Sequence, residues 1–213
     1  MKDKGYEHKA KSKDFLEALI NNIAYCRLLQ KEQMQATYSK LLDWLVSYEP
    51  ESNNNGMEFP DLKEVYKLAG IPYSHIGTDL RDIYYAIYKL NLNEPRKFVM
   101  RDQRIFKIEF NYFETRADFL LGLDIVPRIG ESFVFSFIEP IIGISSFYVK
   151  NITHEIFDWG SVVVIKLTPE LPNLYLQLLT EKAFLNEEIN MYEYSGITKY
   201  DITEKLLKLY KNL

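Results

Sequence analysis

The sequence predicts an α+β protein in which an N-terminal helical unit is followed by a small antiparallel β module and C-terminal helices. Three observations carry this. Apolar residues recur at three- and four-residue spacing up to about residue 91. From Glu94-Pro95 the pattern changes to short runs rich in β-branched and aromatic residues. Beyond Pro169 and Pro172 helical spacing returns. The expected division is a flexible basic tail over 1–12, a helical domain over 13–110, a β-barrel or sheet module over 111–170, and helices over 171–213 packing on that module.

The first helix is expected over 13–31, with Leu16, Leu19, Ile20, Ile23 and Cys26 on one side. A second covers about 33–48, with Met34, Tyr38, Leu41, Leu42, Leu45 and Tyr48 as its stripe. Pro50 ends it, and Asn53–Gly56 reads as an exposed loop. Asp61 with Glu64 has capping-box spacing at the head of a third helix, which Gly70 closes and Pro72 prevents from continuing. Ser74 is the expected N-cap of a fourth, with stripe Ile76, Leu80, Ile83, Ile87 and Leu90.

Strands are expected at Lys97–Met100, Arg104–Phe110, Phe133–Ile138, Phe147–Ile152 and Val162–Leu167. Phe133, Phe135 and Phe137 would share one strand face. The unbroken run Val162–Ile165 suggests a strand covered on both faces. VPRIGE at 126–131 and Asp158-Trp159-Gly160 are turn chemistry. The last helices are expected over about 173–188 and 201–212, the latter with Asp201-x-x-Glu204 at its head.

Composition excludes more than it selects. Cys26 is the single cysteine, so no intramolecular disulfide forms. No apolar run reaches the roughly 18 residues of a membrane span, and the basic start MKDKGYEHKAKSKD lacks the apolar stretch of a secretory leader. The expected setting is a soluble cytoplasmic protein. Lys+Arg and Asp+Glu balance over residues 1–100 (14 and 14), so residues 101–213 (12 and 16) carry the net charge of −4. A dedicated nucleic-acid binder would show a basic excess.

One segment points to an activity. Val65 and Ala69 on one helix, Gly70-Ile71 at the break, and Ile76 with Leu80 on the next resemble the helix-turn-helix family, especially its winged variety. The resemblance implies a winged-helix-like unit whose second helix enters the DNA major groove. The groove-facing residues it implies are Tyr73, Ser74, His75, Thr78 and Arg81. A basic wing would follow, with Arg96, Lys97, Arg101 and Arg104 neutralising phosphates. Tyr66 stands where the family often has alanine, and Asp79 and Asp82 lie near the reading face. A carboxylate facing phosphates opposes binding.

No enzyme motif is found. His8, His75 and His154 lack metal spacing, and His154 and Glu155 as strand neighbours would face opposite sides. No G-x-S-x-G and no phosphate-cradling glycine loop occurs. No cofactor, metal or catalytic residue is assigned. Two readings follow: a bacterial-type DNA-binding regulator with duplex DNA as partner, or a non-enzymatic adaptor or structural protein whose partner is another protein. Abundant tyrosine, 16 residues, favours the latter, because tyrosine is enriched at interfaces.

Overall fold

The helical spacing resolves into α1 (Ser12–Asn21), α2 (Ile23–Glu32), α3 (Ser39–Ser47), α4 (Leu62–Ala69) and α5 (Tyr73–Asn93). These are seen in a computed structural model that describes residues 8–32, 36–49, 52–53, 56–57, 59–158, 160–171, 173–196 and 199–210. Residues 1–7 of the expected tail, Met34, Pro50, Asn54, Asn55, Trp159 and Pro172 lie outside the described residues.

The expected helix over 13–31 is broken at Asn22. Its side-chain amide donates to the Ala18 carbonyl at 2.8 Å and to Ser136 Oγ at 3.2 Å. A short amide side chain that bonds back to the preceding turn competes with the helix ladder. Within Asn53–Gly56 the expected loop is bracketed by β1 (Ser52–Asn53) and β2 (Gly56–Met57), which pair antiparallel. Asp61 makes no side-chain cap; Glu64 N–H donates to the Asp61 carbonyl at 2.8 Å instead. Gly70 adopts the expected left-handed conformation, φ 63°, which a residue with a Cβ takes only at a cost. Helix α5 starts at Tyr73 directly after Pro72, so Ser74 lies inside its first turn rather than capping it.

Five strands form one sheet: β3 (Arg104–Tyr112), β4 (Thr115–Leu123), β5 (Ser132–Val134), β6 (Ser146–Phe157) and β7 (Gly160–Thr168). Their order is β4-β3-β7-β6-β5. The expected all-antiparallel module is corrected here: β3 and β7 run parallel, Phe106 opposite Val163 and Phe110 opposite Leu167. The two hairpins β3–β4 and β6–β7 are antiparallel, but the long excursion between them returns the chain beside β3 in the same direction.

The expected strand at Lys97–Met100 is instead a 3-10 turn over Pro95–Phe98, followed by a bend. Pro95 fixes its own φ and offers no N–H to a ladder. The expected strand at Phe133–Ile138 stops at Val134, and Ser136–Ile138 coils into a 3-10 turn leading to α6 (Glu139–Ile142). Strand β4, TRADFLLGL, was not expected; its leucines and alanine do not carry the β-branched signature.

One face of the sheet and the helices share a core that runs from Phe15 through Leu80 and Phe119 to Leu167. The expected boundary at residue 110 therefore falls inside β3, within a continuous core. Aromatic rings fill its centre: Tyr84 stacks on Phe137 at 4.6 Å and Phe110 on Phe135 at 5.7 Å. The expected double burial at 162–165 is met by the central strand, where Val163, Val164 and Ile165 are all buried. On the face of the sheet opposite Phe106, Ile108 and Phe110, Lys107 bridges Glu109 and Asp118, and Lys166 reaches Glu109.

Helix α5 is stitched to the free edge of this sheet. Asn91, wholly buried, donates to the Leu120 carbonyl and accepts from the Leu120 N–H, both at 2.8 Å. Its amide thus plays the part of a neighbouring strand against β4. One turn earlier Tyr88 Oη accepts from Asp118 N–H at 3.3 Å. Tyr84 Oη donates to the Phe137 carbonyl at 2.7 Å.

The chain divides into two compact units, Met1–Leu171 and Pro172–Leu213. The second holds α7 (Leu174–Leu185), α8 (Met191–Gly196) and α9 (Lys199–Leu209) around Leu179, Ala183, Ile189, Ile202, Leu206 and Tyr210. Asn173 caps α7 by accepting from Leu176 N–H at 3.1 Å.

Replacing Asn91 with alanine leaves two inward backbone groups of Leu120 without partners. At about 1–3 kcal/mol for each, Asn91→Ala is expected to lose about 2–4 kcal/mol in urea unfolding. A change within about 0.5 kcal/mol, as at an uninvolved surface position, would contradict this role.

Candidate nucleic-acid interface

The exposed end of α5 is a product of how α4 and α5 are anchored. Val65 from α4 and Ile76, Leu80 and Ile83 from α5 are buried, which fixes the rotation of both helices. Gly70 N–H returns to the Lys67 carbonyl and Ile71 N–H to the Tyr66 carbonyl, so the chain turns sharply between them. Tyr66 does not wedge the helices apart. It is half-buried, its ring edge-on to Tyr73 at 5.3 Å at the head of α5.

With that rotation set, Tyr73, Ser74, His75, Thr78 and Arg81 are all solvent-exposed, Tyr73 at 52%. The two nearby carboxylates differ. Asp82 is exposed. Asp79 is partly covered, and burial raises its pKa, an effect opposed by His75 and reinforced by Asp82.

The expected wing cations are not beside these residues. Helix α5 has 21 residues, which at 1.5 Å each places Arg96, Lys97, Arg101 and Arg104 beyond its other end, about 30 Å from Tyr73. Lys97 is held by Glu32 at 2.6 Å and Glu94 at 2.8 Å; hydrogen bonds to those two raise its pKa and neutralise its charge locally. Arg96 Nη1 donates to the Gln103 carbonyl at 3.3 Å. Arg101 and Arg104 are exposed. The hairpin that would be the wing is not free either, since β3 pairs with β7 and lies inside the sheet.

What the structure adds is the chain just before α1. Part of the expected tail, His8, Lys9 and Ala10, lies beside α5 and α6. Together with Ser12 it walls a groove of about 520 Å³, whose other side is Ser74, Thr78 and Arg81. Nothing in the linear pattern placed residues 8–12 beside residues 74–81. The one available signal was Gly77, a glycine inside a helix, where it is unfavourable relative to alanine.

Elsewhere the chemistry is sparse. His154 and Glu155 are exposed neighbours on β6. Among the described residues no group of three or more His, Cys, Asp or Glu side chains could hold a metal ion, and no helix is long and apolar enough to cross a membrane. Cys26 is wholly buried, and burial pushes its thiol up from 9.0 to about 12. No protein-family profile, curated protein or solved structure matches the chain.

Tyr25, beside Cys26, is likewise pushed by burial from 10.0 to about 12. Both groups hold their protons in the folded chain where the unfolded chain would release them. Their contribution is therefore complete below pH 9.0 and is lost as pH rises toward 12. The urea midpoint is expected to fall through that window, with the onset moved upward in Cys26→Ala. A thiol reagent at neutral pH is expected to label Cys26 only when the chain is denatured; rapid labelling of the native chain would contradict its burial.

Proposed function

We propose that this protein binds duplex DNA, as a regulator would, by inserting the leading end of α5 into the major groove. The observation that carries the reading is the exposure of Tyr73, Ser74, His75, Thr78 and Arg81 on a helix whose opposite face is locked into the core. The major groove, about 12 Å wide, admits one helix. In this arrangement His75 and Thr78 reach base edges, while Ser74 and Arg81 bond phosphates or, for Arg81, the O6 and N7 of guanine. Arg96, Lys97, Arg101 and Arg104 belong to a separate surface, and Lys97 already has its counter-charges. The grip is therefore the helix end alone, without a wing. Asp82 opposes it.

A protein-binding adaptor has one observation in its favour. The outer end of β6 exposes Ile156 (83%) and Phe157 (43%), and a partner strand could extend the sheet there. This becomes the account if duplex binding is absent at low salt and Ile156→Asp abolishes capture of a host protein by the tagged chain.

In a salt titration with mixed-sequence duplexes, log K is expected to fall linearly with log salt, by about 0.9 per phosphate neutralised. Asp82→Asn removes a like charge facing phosphate and is expected to tighten low-salt binding by about three- to tenfold. His75→Ala is expected to relax sequence preference while leaving the salt slope unchanged. Absence of binding at low ionic strength ends the DNA reading.

A further inference from the structure

The groove between residues 8–12 and α5 has a lining out of keeping with the rest of the chain. The protein carries a net charge of −4, yet among the described residues no carboxylate lines this groove. Its polar side chains include Lys9, Arg81, His8, Ser12, Ser74 and Thr78, with the Tyr85 phenol beside them: two fixed cations, an imidazole and four hydroxyls. Lys97 and Lys107 show the alternative treatment, each clamped between two acidic side chains. Lys9 and Arg81 make no ion pair among the described residues. His8 presents a further unmet group, a buried Nε2 with no hydrogen-bond partner.

The position of this short segment is built by two glycines. A Cβ on Gly77 would lie 2.6 Å from Ser12 Oγ, so a side chain there would make the Ser12 hydroxyl turn away from α5. Gly143, at φ 90°, lies under the His8 ring, where a Cβ would come within 2.9 Å of Cγ. With this room left at both glycines, Lys9 and Ser12 lie across the groove from Arg81, Ser74 and Thr78.

From this lining we infer that the groove is a phosphate seat. Lys9 and Arg81 supply opposing charge, and the Ser12 and Ser74 hydroxyls supply donors to the non-bridging oxygens. The inference rests on the DNA reading only for the source of the phosphate, one backbone phosphodiester beside the base pairs that the end of α5 would read. Free phosphate presents the same chemistry, so the test separates the two.

The test uses the full chain and a synthetic mixed-sequence duplex, with Lys9→Ala, Arg81→Ala and Arg81→Lys compared in the same salt series. Unchanged melting temperatures establish that each variant is folded. The alanine variants are each expected to flatten the log K against log salt slope by about 0.9 and to weaken low-salt binding about tenfold, with Arg81→Lys retaining the slope. Duplex binding with unaltered slopes overturns the phosphate seat and leaves the DNA reading standing. If no duplex binds, inorganic phosphate is titrated while the amide signals of Gly77 and residues 9–12 are followed by NMR. Saturable shifts abolished by Arg81→Ala retain the seat with free phosphate as its ligand and remove the DNA reading. Absence of shifts removes both.

Discussion

The pairing of Asn91 with Leu120 is the constraint on which the rest of the first unit depends. Strand β4 is an edge, and an edge strand presents a row of unpaired N–H and C=O groups. Asn91 satisfies two of them and Tyr88 a third, all from one face of α5. Tyr84, on the same helix, reaches the Phe137 carbonyl beyond the sheet edge. These directional bonds fix both the rotation of α5 and its height along β4, which burial of Ile83 and Ile87 alone would leave free to slide. Once the C-terminal half of α5 is fixed in this way, its N-terminal half projects with Ser74, His75, Thr78 and Arg81 outward.

Charge is distributed in two distinct ways over this frame. Around the sheet, cations are consumed by neighbours: Lys107 by Glu109 and Asp118, and Lys97 by Glu32 and Glu94. Such exposed pairs contribute little to stability, about 0–1 kcal/mol each, but they remove positive charge from the surface that a wing would need. Beside α5, Lys9 and Arg81 are left with hydroxyls for company. A near-neutral N-terminal half thus conceals an uneven surface, and total charge was a poor guide to where an anion could bind.

The helices were legible because their signals are local. Gly70 in the left-handed region, Pro72 before α5, and the stripe Ile76–Leu80–Ile83–Ile87 each act within a few residues. The double burial of Val163–Ile165 was legible for the same reason. What could not be read was whatever depends on distant partners. The break at Asn22 is completed by Ser136, β4 takes its strand form from pairing with β3, and the parallel register of β7 depends on where the chain returns. The candidate site divides along the same line. Tyr73, Ser74, His75, Thr78 and Arg81 came from the helix-turn-helix resemblance, and they are exposed because Ile76 and Leu80 turn the other side of α5 into the core. The separation of Arg96–Arg104 from it needed the full length of α5, and the approach of Lys9 and Ser12 needed the two glycines that make room for their segment.

Amide hydrogen exchange along α5, with and without duplex, reports both how the helix is anchored and which end meets DNA. Exchange is expected to be slow around residues 84–91 in the free chain, where Asn91 and Tyr84 hold the helix to the sheet and to Phe137. On DNA binding, added protection is expected at residues 73–81 and 9–12, and none at 96–104. Protection confined to 96–104, or an 84–91 segment that exchanges as fast as the exposed end, would contradict this arrangement.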